Sequence, residues 1–229
     1  MNIVIRPNQV LKFFLSVIGL LLLANIAGVI AKHFMNFPHI KTFIRLVDFD
    51  TEMNIATLYS SCAMLVAAIG LLLIGYTHYK REEASVPWFG LSLIFVYLAI
   101  DETSAFHEMF VHPVRDAMGA SGIFYFAWVI PYGVLALILA ATYLKFYLGL
   151  ASNMKKLFAL AATLFFCGAI GFELLGGALA DSTGEDTLIY SISYTCEETL
   201  EMLGIATLIY ALSKYISQTF PVANVSLES

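Results

Sequence analysis

The chain has 229 residues, 60% of them hydrophobic and only 13% charged, with a formal net charge of -5. A soluble domain of this size needs more charge to cover its surface, so this composition, with a mean hydropathy of +0.82, points to a membrane protein. There is no basic tract and no aromatic-basic pattern, which argues against nucleic acid as a partner.

A spanning helix needs roughly 20 mostly apolar residues. Six such segments occur in chain order, at about 10–31, 54–76, 88–110, 123–147, 156–180 and 187–213. The first follows Arg6 and includes Lys12, but its apolar run is too long for a signal peptide and has no convincing cleavage site. The third ends in 101-DETSAFHE-108 and is expected to carry these residues inside the span. The fourth contains Pro131, which predicts a kink. Trp88, near a span end, reads as an interfacial anchor. Cys62, Cys167 and Cys196 lie in apolar segments with no disulfide or zinc spacing and read as packing residues. The expected fold is all-α, a polytopic membrane helix bundle forming one domain over residues 1–229.

Six spans put both termini on one side. Arg6, Lys12, Lys80, Arg81, Lys145, Lys155, Lys156 and Lys214 fall on that side, against Lys32, Lys41, Arg45 and Arg115 on the other. The positive-inside rule then predicts cytoplasmic termini. The expected location is the cell membrane, the inner membrane if the cell is Gram-negative, with the lipid bilayer as partner.

Seven acidic residues lie within the expected spans: Asp101, Glu102, Glu108, Glu173, Glu197, Glu198 and Glu201. Each costs roughly 2.5–3.5 kcal/mol in hydrocarbon, and no Lys or Arg lies mid-span to pair with them. Such carboxyls must protonate, share protons, meet water or bind a cation. At about 1.5 Å rise per residue they fall in one layer toward the outer face, beside Glu52, Asn54, Ser60 and Ser61 at the mouth of the second span. Helical phase places Asp101, Ser104 and Glu108 on one stripe, and Tyr194, Glu197 and Glu201 on another. Glycines around Glu173 allow neighbouring helices to approach closely.

Carboxylates and imidazole from several helices are a usual way to hold iron, zinc or manganese. The expected ligands are Asp101, His107, Glu108, Glu173 and Glu201, with Glu197 and Glu198 as catalytic carboxylates. Glu52, Asn54, Ser60, Ser61, Glu102, Ser104 and Tyr194 are expected to line or support the pocket. His107-Glu108 with His112 is not a zincin motif, because its histidines lie about 140° apart on a helix. This reading makes the protein a membrane-embedded catalyst acting on a lipid-soluble or periplasmic small molecule through a divalent metal. The alternative is a proton- or cation-coupled transporter using the same carboxyls, although 63-AMLVAAIGLLLIG-75 and 205-IATLIYAL-212 offer no polar steps inward. A third possibility is a non-catalytic scaffold in which the carboxyls hydrogen-bond helices together.

The set 52-EMNIAT-57, 101-DETSAFHE-108, 168-GAIGFE-173 and 197-EETLEMLG-204 resembles an uncharacterised family of bacterial multi-pass membrane proteins. The resemblance implies that these four segments form one site. It brings Glu52 and Asn54 into that site with the rest.

Overall fold

The computed structural model describes residues 6–35 and 41–219 and is all-helical, with no strand among the described residues. The elements are α1 (Pro7–Phe34), α2 (Lys41–Val47), α3 (Ile55–Lys80), α4 (Val86–Ser104), α5 (Val111–Met118), α6 (Val129–Gly149), α7 (Ser152–Phe166), α8 (Glu173–Thr183) and α9 (Leu188–Thr219). A six-residue π-helical turn, Cys167–Phe172, joins α7 to α8 in one continuous rod. Among the described residues, six helical segments are long and apolar enough to cross a membrane: α1, α3, α4, α6, the α7–α8 rod and α9. The start of α1 neighbours the last turns of α9, with Arg6–Gln9 beside Tyr210 and Lys214, and this end of the bundle is the terminal end. The opposite end of the bundle is called distal below.

α9 is the central helix, packed against α1, α3 and α7, while α3 and α4 form a close hairpin. Leu71, Ile74, Met202 and Ile209 fill the core. Polar stitches cross it. Asn25 on α1 is fully buried, donating to Thr195 Oγ1 at 2.8 Å and accepting from the Phe49 amide at 3.0 Å. The hydroxyl of Ser61 donates to the Ala99 carbonyl and accepts from Thr103, each at 2.8 Å, tying α3 to α4. Such an interhelical bond contributes about 0.6 kcal/mol in a membrane.

Close approach of α7 and α9 depends on two glycines. A Cβ at Gly168 would lie 2.6 Å from the Glu197 carbonyl oxygen, and one at Gly204 would lie 2.7 Å from the Phe165 nitrogen. α6 differs from the others: it approaches the remaining helices least closely and has the smallest buried share of any span.

Four local expectations are corrected. The third span does not run to residue 110. It ends at Ser104, Ala105 takes a left-handed conformation at φ 48°, and a 3-10 turn, His107–Phe110, follows. Pro131 falls in the first turn of α6, where its missing N–H has no intrahelical partner to lose, so no kink is required. Trp88 is buried, stacked on His78 at 5.8 Å and edge-on to Phe146 at 4.9 Å, and so is a packing residue. Cys62 and Cys167 lie on the outside of the bundle, not in its packed interior.

Candidate functional site

The loop entering α3 sets one wall of the site. Asn54 caps α3 by accepting from the Thr57 amide at 3.0 Å, and its Nδ2 donates to the carbonyls of Asp48 and Thr51, both at 2.6 Å. Met53, between Glu52 and this cap, has φ 58°. The loop is folded around the Asn54 amide, and that fold holds Glu52 over the distal end of the bundle.

The break after α4 sets the opposite wall. The left-handed Ala105 turns the chain back, so that His107 Nδ1 donates to Asp101 Oδ2 at 2.9 Å. The other oxygen of Asp101 accepts from the Tyr132 hydroxyl at 2.8 Å, and Tyr132 meets the Tyr97 hydroxyl at 2.8 Å. The Trp128 ring lies 4.7 Å from the imidazole. With Nδ1 committed to Asp101, Nε2 is the nitrogen left to bind elsewhere. Ligand atoms of Glu52, His107 and Glu108 all lie within 4.8 Å of one another, a grouping that can hold a metal ion.

A second acidic group lies along α8 and α9. Glu173 accepts a hydrogen bond from Trp128 Nε1 and lies within hydrogen-bonding reach of Glu197. Glu102 and Glu201 are close enough to feel each other's charge, as are Glu102 and Glu198. The π-helical turn supplies the geometry: it presses Gly168 onto the Glu197–Glu201 turn of α9 and starts α8 at Glu173. Inserted π turns are frequent at functional sites.

Both groups line one cavity of ≈ 920 Å³, into which Glu52, Glu102, His107, Glu108, Glu173, Glu197, Glu198 and Glu201 all open. No Lys or Arg lines it among the described residues. Arg115, on the distal face, donates to the Tyr125 carbonyl at 2.7 Å and lies 3.9 Å over the Tyr125 ring. At the mouth, burial pushes the Glu52 carboxyl up to about 7, with His107 acting in the opposite sense. Burial likewise pushes Asp50 up to about 6. Burial works against charge on His107, but the hydrogen bond and charge of Asp101 outweigh it and raise the imidazole above its ordinary value.

The residues expected from the sequence divide by role. Glu52, Glu102, His107, Glu108, Glu173, Tyr194, Glu197, Glu198 and Glu201 line the cavity together. Asp101 also lines it, with both oxygens engaged by His107 and Tyr132. Tyr194 is buried and its hydroxyl makes no hydrogen bond among the described residues, although Asp48 and Ser191 are near it. Asn54, Ser60, Ser61 and Ser104 do not line the cavity. Asn54 is a helix cap, Ser61 joins two helices, Ser60 is buried with no hydrogen-bond partner among the described residues, and Ser104 turns outward onto the Ile100 carbonyl. Asp50, Trp128 and Tyr132 are site residues beyond the expected set. The i, i+4 spacing of Trp128 and Tyr132 puts both rings on one helix face, which is the signal the sequence carries for them.

Fold and cavity together define an all-helical protein of the membrane type with an acidic, histidine-bearing pocket. The chain belongs to the family described as Domain of unknown function (DUF8692), whose model matches residues 14–215. No curated protein and no solved structure matches it.

Proposed function

We propose that this is a membrane-embedded enzyme whose distal pocket holds a divalent metal and acts on a lipid-soluble or periplasmic small molecule. The observation that carries this reading is the convergence of Glu52, His107 and Glu108 to within 4.8 Å, with Asp101 fixing the imidazole. A carboxylate on the far nitrogen of a ligating histidine is a recurrent means of setting its tautomer and basicity. One imidazole and several carboxylates suit iron, manganese or zinc. A metal held there supplies Lewis-acid chemistry and an activated water.

Glu52, His107 and Glu108 are the ligands in this proposal. Glu173 and Glu201, at first sight equally good candidates, belong with Glu102, Glu197 and Glu198 as the proton-handling wall. A pair of carboxyls in contact can carry one proton between them, and Glu173 with Glu197 is such a pair. The bulk of basic residues on the terminal side supports cytoplasmic termini and a pocket facing the outer half of the cell membrane.

The reading is tested by elemental analysis of purified protein. Stoichiometric iron, zinc or manganese should be present in the wild type, be lost in His107→Ala and Glu52→Gln, and persist in Glu201→Gln. Metal retained in His107→Ala but lost in Glu201→Gln would move the centre to the second acidic group.

A further inference from the structure

The cavity does not stop at the acids. It runs on toward the terminal end between α4, α6, α7 and α9, past Leu98, Phe95, Leu139, Phe158 and Leu208. Along α4, Leu91 lies eleven residues from Glu102, about 16 Å away. Beyond the acidic layer the lining carries no ionisable group except tyrosine. This deep part is open sideways. Leu93, Leu135, Leu144 and Phe166 line the cavity and are also exposed on the outside of the bundle. The gap follows α6, the helix held least closely by its neighbours. In a bilayer such a slot faces the hydrocarbon region, and the whole cavity, at ≈ 920 Å³, is within the range of ligand pockets.

We propose that the slot takes the hydrocarbon tail of a long-chain amphiphile that enters from the bilayer beside α6, with its head at the acidic end. The head carries no anionic group. The end that would receive it presents nine carboxyl groups and one imidazole with no Lys or Arg, more acids than a single divalent metal offsets, so a phosphate head meets like charge, whereas an alcohol or amine finds acceptors. The further claim that the bound molecule is the substrate rests on the metal-site reading above; tail binding itself does not.

The test uses the full-length protein in nanodiscs and a long-chain alcohol bearing a diazirine at the end of its tail. After irradiation, adducts should concentrate on the α6 and α7 segments around Tyr147 and Phe158. Unlabelled alcohol should abolish them and the matching alkyl phosphate should not. Ala140→Phe and Ala136→Phe, which fill the slot from α6, should each lose the labelling while eluting as wild type and keeping the metal content of wild type. Labelling spread evenly over lipid-facing α1 and α3, equal competition by the phosphate, or labelling that survives both variants would overturn the proposal. Metal present without saturable labelling sinks this inference alone. Saturable labelling without metal sinks the metal-site reading alone.

Discussion

Asp101 and His107 meet across a break in the helix that carries them. Oδ2 and Nδ1 are 2.9 Å apart because Ala105, between them, adopts φ 48° and turns the chain back. A continuous helix would put these residues, six apart, on largely different faces. The reversal sets the imidazole beside Glu52 and Glu108, and Tyr132 on α6 holds the carboxylate in place from the other side.

Asp101→Asn should therefore weaken metal binding without emptying the site. Loss of the carboxylate behind a ligating histidine typically lowers affinity about 10–100-fold. Titration with a competing chelator measures this. Tyr132→Phe, which removes one bond to Asp101, should fall in the same direction by less.

Metal binding should weaken as pH falls through about 7, where Glu52 takes up a proton. His107 adds to the effect, since its raised affinity for a proton also competes with the metal. In the metal-free protein the sign reverses. A carboxyl raised from 4.5 to about 7 by burial favours folding while protonated, so stability declines as pH rises across that interval. Glu52→Gln should flatten both dependences, as read by chelator competition and thermal unfolding at several pH values.

How far these features are legible in the sequence varies with their physical origin. Spans are legible because hydrocarbon demands length and apolarity, and 60% hydrophobic residues leave few other arrangements. The acidic layer is legible because a Glu in a span must be answered. The break at Ala105 is not, since 101-DETSAFHE-108 contains neither Gly nor Pro. It is held by the tertiary contacts of Asp101 with His107 and Tyr132, which no local propensity records. Asn54 reads equally well as a pocket residue or as a helix cap. Only the positions of the Asp48 and Thr51 carbonyls decide for the cap.

Asn54→Ala should act on the site at a distance. Loss of an N-cap acceptor costs about 1 kcal/mol, and the two 2.6 Å bonds that shape the loop go with it. Both melting temperature and metal affinity should drop. Asn54→Asp keeps the acceptor but loses the donors, so it should restore stability more than affinity.

Gly168→Ala and Gly204→Ala should each push α7 away from α9, because the added methyl would lie 2.6 Å and 2.7 Å from backbone atoms. Overpacking of this kind costs about 1–3 kcal/mol. Gly133→Ala, inside α6 where nothing lies within 4 Å of the new Cβ, should leave the unfolding temperature the same or slightly higher, since alanine is the better helix former.

The central claim concerns which atoms surround the metal, and X-ray absorption at its edge reads them directly. Wild-type protein should show a shell of nitrogen and oxygen with the multiple scattering of a single imidazole, and His107→Ala should lose that scattering. An all-oxygen shell in the wild type, or no bound metal to measure, would contradict a centre built on Glu52, His107 and Glu108.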